Sequence, residues 1–383
     1  MFRIFSLLCG RMRQKRAIVS VSNDLFNDRR VDNSCRELVE QGYRVLLVGR
    51  KHAGSPSLQE RPYKTYRMFM LFRRKVFFYA AFNYRLFFLL LFRPANLLLA
   101  NDLDTLWPVY WVSRIRRLAL IYDSHEYFTG MPELLSRPWV RRVWQKIEQK
   151  IFPRLKHVIT VNESIASLYR EQYGNKLHVV RNVPALRPLP APGRDELGLP
   201  SGIPLILLQG AWINMDRGGE EAVEAMRFVD HAILLIIGGG DAIPRLKEMA
   251  TDPALKGKVR FIPRQPFDEL LKYTVCADIG LSLDKDTNVN YRFSLPNKLF
   301  DYIHAGVPVL ASDLPEIRSI IDQYGVGRIT ESHRPEQLAK MIREMLENAS
   351  ELQVMKAACL KAREELCWDR ERLQLKAVID AAG

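Results

Sequence analysis

The residues best placed to do chemistry lie in one segment, 294–312, running from Ser294 through Pro296, Asn297, Lys298 and Asp301 to Ser312. Pro296 suits the first turn of a helix, which then carries Asn297, Lys298 and Asp301 on its opening turns. Asn297 and Asp301 are four apart and share a face, with Lys298 adjacent. A cation at a helix start opposes the helix dipole. Its presence there points to an anionic ligand that neutralises it, and Asp301 could accept hydrogen bonds from a pair of ribose hydroxyls.

Two glycine-rich loops precede this segment. The strand at 205–208 runs into Gln209 and Gly210, and Asp216, Arg217, Gly218 and Gly219 then open a helix. Glycines at a strand end and helix start let backbone amides approach a ligand, and Arg217 could grip an anion at the helix N-terminus. The spacing is neither a dinucleotide fingerprint nor a phosphate-binding loop with a Lys-Ser/Thr ending. The strand at 232–237 ends in Gly238, Gly239 and Gly240, which suit close contact with a flat or phosphorylated ligand and suit a tight turn nearly as well. In the first half, Asp102 and Asp104 look like a metal-binding Asp-x-Asp, but a loop with one helix-capping aspartate is the better reading. Of the seven histidines His125 stands out, and a hydrogen-bonded histidine beside Glu126 at a strand end is the plain alternative.

These residues need a scaffold. The run 17–22, a polar loop, a helical stretch at 32–41 closed by Gly42, and a strand at 43–48 make a β-loop-α-β unit, hence a parallel sheet. Further buried strands are predicted at 97–100, 119–122, 158–161 and 177–180, with helices at 140–150 and 164–171. Six prolines and three glycines crowd 184–204, which reads as a linker. The rhythm restarts with strands at 205–208, 232–237, 259–262, 279–283, 307–311 and 326–329, and from Pro335 the chain reads as helix. Two doubly wound α/β domains follow, whose ligands belong outside the carboxyl ends of the strands.

The chain has 383 residues, with 57 Lys+Arg against 43 Asp+Glu, a net charge of +14. A 48% hydrophobic and 26% charged composition excludes whole-chain disorder, collagen and disulfide-rich scaffolds. Residues 1–190 carry +19 and residues 191–383 carry −5. No acid occurs between Glu60 and Asp102, while residues 61–93 hold eight cations and twelve aromatics. Its apolar runs, 76–82 and 86–92, are too short for a span of ~20 residues. A helix presenting Phe77, Phe78, Ala81, Phe82, Arg85, Phe88 and Leu89 could lie in anionic lipid beside Arg73, Arg74 and Lys75, or could be a core helix with solvated ends. Residues 1–16 read as a basic extension rather than a signal peptide. The five cysteines are scattered, as free thiols in a reducing compartment would be.

Taken in order, the motifs QG…DRGG, IIGGGD, VRFIP, ADIGLSL and PNKLFDYIHAGVPVLAS resemble the donor-binding domain of retaining glycosyltransferase family 4, a GT-B family. The first half is similar more loosely, through VSVSND at 19–24, ANDLDTL at 100–106, YDSHE at 122–126 and VRN at 180–182. The resemblance implies an α/β fold of two doubly wound Rossmann-like domains facing across a cleft, with C-terminal helices packing back toward the first. The divisions are a 1–16 extension, a 17–183 acceptor domain, a 184–204 linker and a 205–383 donor domain.

It implies that Arg217 meets the nucleotide diphosphate and that Asp301, at the place of the family's second glutamate, holds the ribose. Asn297 and Lys298 would stand near donor sugar and phosphates with Ser294, Gly210, Gly218, Gly219, Gly238 and Gly239, and His125 would reach the transferred sugar. Asn23 and Asp102 fall on the acceptor side. Where many members carry a first glutamate this chain has Phe293, and Ala211 and Trp212 stand where an arginine is usual. The implied activity is metal-independent, retaining transfer from a UDP- or GDP-sugar, with no other cofactor, to a lipid-linked or membrane-associated glycan. It would act at the cytoplasmic face of an anionic membrane. A catalytically silent binding protein and a nucleotide-sugar epimerase are the alternatives, and nucleic-acid binding is the weakest reading.

Overall fold

The computed structural model describes residues 14–26, 28–52, 54–71 and 75–383, Lys75 by its backbone alone. It divides into two units, Met1–Asn182 with Arg372–Gly383, and Val183–Glu371.

The first unit is a seven-stranded sheet made of β1 (Arg16–Ser20), β2 (Arg44–Lys51), β3 (Lys64–Phe69), β4 (Leu97–Asn101), β5 (Ala119–Ser124), β6 (His157–Thr160) and β7 (Leu177–Val179), in the order β3-β2-β1-β4-β5-β6-β7. Every pairing is parallel, with Ala17 opposite both Val45 and Leu97. Helices cover both faces of such a sheet, so its central strands are apolar throughout, and all five residues of β4 are buried. The helix predicted from 32 spans Arg29–Glu40, because Asp28 caps it by accepting the Val31 N–H at 3.1 Å.

One strand escaped sequence reading. β3 lies inside the basic, aromatic stretch and buries only Met68 fully, its other positions carrying Lys64, Tyr66 and Arg67. An edge strand needs one buried face at most, and cations discourage pairing with another chain. The two apolar runs beyond it join into one helix, Lys75–Phe92. Phe78, Phe82, Leu86 and Leu90, spaced by four, are its buried ridge, while Phe77 is 70% exposed and Tyr84, Phe88 and Phe92 are also exposed. The pairing of Phe77 with Phe78 as one lipid-facing set is therefore corrected: adjacent helical residues diverge by ~100°, and Phe78 is core, with the Arg50 guanidinium 4.4 Å from its ring. Arg73, Arg74 and the Lys75 side chain lie outside the described residues, as do 1–13.

The second unit holds β8 (Leu205–Gly210), β9 (Ile233–Gly238), β10 (Val259–Ile262), β11 (Ile279–Ser282), β12 (Val309–Ser312) and β13 (Gly327–Thr330) in the order β10-β9-β8-β11-β12-β13, again all parallel. Alternation along β8 sends Leu205 and Leu207 into one core layer and Ile206 and Leu208 into the other. The proline-rich segment is part of this body. Val183 and Leu199 are buried in its core, and Arg194 donates to Asp278 Oδ2 at 2.9 Å and to the carbonyls of Ile203 and Cys276. The last helix, Trp368–Ala382, returns the chain to the first unit, where Arg372 donates to Glu37 Oε2 at 2.8 Å. Among the described residues no helix is long and apolar enough to cross a membrane, and the four described cysteines are free and buried.

Candidate functional site

Strand order reverses between β1 and β4 in one sheet and between β8 and β11 in the other. Loops diverge there and leave a crevice at the strands' carboxyl ends. The candidate residues fall at these two places.

In the first unit, β4 ends in Asn101, followed by Asp102, and β5 ends in Asp123 and Ser124, followed by His125. The His125 Nε2 lies 3.1 Å from Asn101 Oδ1 and 3.7 Å from Asp123 Oδ2, and its Nδ1 lies 3.4 Å from Asp102 Oδ2. Both ring nitrogens thus face acceptors, the arrangement of an imidazolium. Burial pulls the ring's pKa down, but the charges of Asp102 and Asp123 win and raise it to about 9. The raised pKa favours the protonated, donating ring at neutral pH, and the ring is, as the plain alternative has it, a hydrogen-bonded histidine at a strand end, with Asn101, Asp102 and Asp123 around it.

Asp123, 1% exposed, would be driven up by burial; bidentate Arg30, whose nitrogens lie 2.6 to 3.1 Å away, and His125 instead bring it to about 2. Of the pair Asp102 and Asp104, one is expected to cap a helix. Asp102 takes the N-cap position of the helix Leu103–Arg116 without a side-chain cap bond; Oδ1 takes the His125 N–H at 2.9 Å instead. Its φ of 58° is a backbone position that only firm tethering makes tolerable for a residue with a side chain. Asn23 is used within its own loop: Oδ1 accepts the Leu25 N–H at 3.0 Å and Nδ2 donates to Asp28 at 2.6 Å. Asp104 turns away from Asp102 to accept from Ser22 Oγ, and burial with the Asp102 charge raises it to about 7. Among the described residues no three His, Cys, Asp or Glu groups are placed to hold a metal ion.

In the second unit the chemistry centres on a residue the sequence reading passed over. Asp284, just beyond β11, is fully buried. Its Oδ1 accepts from Arg217 Nη1 at 2.6 Å, and its Oδ2 lies 3.2 Å from Lys298 Nζ. Burial raises its pKa, but Lys298 and Arg217 hold it below the usual carboxylate value. The cation at the helix start is therefore neutralised from within the chain, which corrects the inference that a ligand alone must do so. The helix spans Asn297–Ala305 with Pro296 as its N-cap, and Asn297 is exposed. The Arg217 guanidinium lies over Tyr291, its Cζ 4.3 Å from the ring centre. Its Nε and the Ser294 Oγ are buried with no hydrogen-bond partner in the protein, a deficit that a bound oxyanion would relieve. Asp301 lines a depression of ≈ 380 Å³, open mouth included, with Gln209, Phe267, Thr274, His304 and Arg363. Asp284 had one visible signal: it is the first charged residue after an apolar strand.

The glycines have a packing reason besides any ligand. A Cβ on Gly238 (φ +146°) would stand 1.8 Å from the Gly210 carbonyl oxygen, and one on Gly218 (φ +75°) 2.3 Å from Leu283 Cβ. Gly219 faces Leu246, Gly210 faces Ile213, and Gly239 alone of these has no contact closer than 3.6 Å. Gly238→Ala should therefore cost the second unit more than ~3 kcal/mol; a melting temperature equal to wild type would show that the loop has room after all.

Comparison with known proteins bears on both units. The Glycosyltransferase Family 4 model matches residues 28–183, and the Glycosyl transferases group 1 model matches residues 194–361. A Candida albicans relative, chitobiosyldiphosphodolichol beta-mannosyltransferase, is 22% identical over 287 residues, covering 68% of this chain and 61% of the relative, less than two thirds of its length. Among solved structures, sucrose-phosphate synthase from Thermosynechococcus elongatus shares the fold at a TM-score of 0.78 with 17% identity, over 96% of this chain and 99% of that one. Anabaena Alr3699/HepE in complex with UDP-glucose does so at 0.75 with 13% identity over the same shares. With a family 4 module in its first half and a group 1 module in its second, the chain belongs to the GT-B glycosyltransferases of the family 4 type.

Proposed function

We propose that the protein moves a sugar from a UDP- or GDP-sugar to a lipid-linked or membrane-associated glycan, with retention of configuration and without a metal ion or other cofactor. The observation that carries this reading is the group of buried Asp284 with the half-buried Arg217 and Lys298, one net positive charge beside the unpaired Arg217 Nε and Ser294 Oγ. A nucleotide diphosphate leaves with charge on its oxygens, and preorganised cations in a dry site stabilise that charge most where it develops. Asp301 would take the ribose hydroxyls, and Gly210, Gly218, Gly219, Gly238, Gly239 and Asn297 would border the donor. His125, held as a cation, would donate to the sugar, with Asn23 and Asp102 shaping the acceptor side. Attack on the leaving group's own face accounts for retention with Phe293 in place of a carboxylate.

The relative's diphosphodolichol name and the UDP-glucose in the HepE structure support the two substrate classes. The test is a panel of UDP-, GDP- and ADP-sugars with and without a membrane-lipid extract, in EDTA, with the product's anomeric configuration read by NMR. Acceptor-dependent nucleotide release with the donor's configuration kept is expected. Conversion of the sugar nucleotide without acceptor would indicate an epimerase, and binding without turnover a silent protein.

The acceptor's setting is proposed to be the inner face of an anionic membrane. Phe77, Tyr84, Phe88 and Phe92 form the outer stripe of their helix, and Phe87 meets Trp107 of the next helix at 6.1 Å. Arg93 follows this helix in sequence, and Arg73, Arg74 and Lys75 precede the stripe, a makeup suited to the headgroup region. Replacing Phe77, Phe88 and Trp107 together by serine should cut flotation with phosphatidylglycerol liposomes by about tenfold or more. Equal flotation of variant and wild type would remove this surface from the account.

A further inference from the structure

The family's usual first carboxylate is replaced here by Phe293, yet the second unit still buries one carboxylate among its cations. Asp284 gives one oxygen to Arg217 Nη1, at 2.6 Å, and the other to Lys298 Nζ, at 3.2 Å. A single rigid planar group therefore sets the spacing of two cations that come from different loops, one before the helix Gly219–Ala225 and one on the helix Asn297–Ala305. We propose that Asp284 is a positioning residue of the donor site, fixing Arg217 and Lys298 at one separation and keeping both charged as the nucleotide diphosphate enters and leaves. This rests on the donor-site reading above.

Two like charges in a buried site cannot both persist without a counter-charge. The Lys298 ammonium is pulled down first by burial and also by Arg217, and Asp284 is what holds it up. The neighbouring groups are otherwise engaged. Tyr291 stacks on Arg217, and the Tyr302 hydroxyl donates to the Leu207 carbonyl at 3.0 Å and takes the Gln209 N–H at 3.1 Å. Lys285 is paired with Glu221, and His333 Nε2 lies 2.8 Å from Ser312 Oγ. Asp301, on the same helix as Lys298, lines the Gln209 and Thr274 depression. The ion pair of Lys298 is with Asp284.

The test is calorimetric titration of UDP and GDP into the full chain from pH 7.5 to 10, each variant being read against wild type so that ionisation of the ligand's own phosphate and base, common to all, cancels. Wild type, Asp284→Asn, Asp284→Glu and the double variant Asp284→Asn with Lys298→Arg are compared. In Asp284→Asn the alkaline loss of affinity should move down by about one pH unit or more, so that above both midpoints the variant falls up to about tenfold further below its own affinity at about pH 7.5 than wild type does. Asp284→Glu should bind more weakly at every pH and keep the wild-type profile. The double variant should lose the shift, because a guanidinium stays charged throughout. A wild-type profile in Asp284→Asn, or a shift that survives Lys298→Arg, overturns the role of Asp284 alone. Should circular dichroism show Asp284→Asn unfolded, Asp284→Glu decides: wild-type affinity there overturns the proposal. If wild type binds neither UDP nor GDP, the donor-site reading itself falls.

Discussion

Lys298→Ala is expected to lower sugar transfer by about 10²–10³, as removal of one preorganised group facing developing negative charge does in other enzymes. The loss should fall mainly on kcat, because the charge that Lys298 meets grows as the diphosphate departs. Arg217→Ala should weaken nucleotide binding as well, since it frees Tyr291 from its stacking partner and removes the unpaired Nε. Each variant leaves Asp284 one cation, so the buried carboxylate stays paired and the cost to folding should stay below the ~3–5 kcal/mol of an orphaned buried charge. Steady-state kinetics with the active donor, set against thermal melting, separates the two effects. Full activity in both variants would mean that the diphosphate binds elsewhere.

The second large effect concerns pH. His125 is held protonated in the folded state to about 9, whereas an unfolded chain releases that proton near ~6.5. Its stabilising contribution is complete below the unfolded value and is lost as pH rises through the folded one, for about 3 kcal/mol over the whole window. Asp104 and Glu148, each raised to about 7 by burial, titrate mainly below pH 7.5, and the buried thiols of Cys35, Cys276 and Cys359, raised by burial, are common to both proteins, so the difference between wild type and His125→Gln from pH 7.5 to 9.5 reads the histidine. Wild type should lose denaturant stability across this range, and His125→Gln should lose much less. Parallel slopes would show that the imidazolium is not held by Asp102 and Asp123. At the acid end Asp123, lowered to about 2, should keep its pairing with Arg30 until the pH falls through that value.

Much of this was open to sequence reading, for reasons that differ by element. Central strands such as β4 and β8 announce themselves because a parallel sheet covered on both faces needs unbroken apolar runs. β3 did not, since an edge strand with one buried residue has no such pattern. The helix Lys75–Phe92 was visible as apolar but not as oriented: with aromatics on every side, composition alone could not tell buried Phe78 from exposed Phe77. The proline-rich segment looked like a tether because prolines exclude regular structure, not because they exclude packing; Leu199 and Arg194 dock it on the second unit.

In the second unit Arg217, Lys298 and Asp301 stood out by type and place. Asp284 did not, because its importance lies in a three-way contact between residues 67 and 14 positions away, which spacing does not encode. The same is true of Asp102, whose position before a helix suggested a cap while its partner lay across the sheet at His125.

The most direct measurement is nucleotide release from a panel of UDP-, GDP- and ADP-sugars, with and without membrane-lipid extract, for wild type and Lys298→Ala side by side. The account predicts release by wild type from a UDP- or GDP-sugar that depends on the lipid acceptor and collapses in the variant. Release that ignores the acceptor, or that survives Lys298→Ala undiminished, would contradict it.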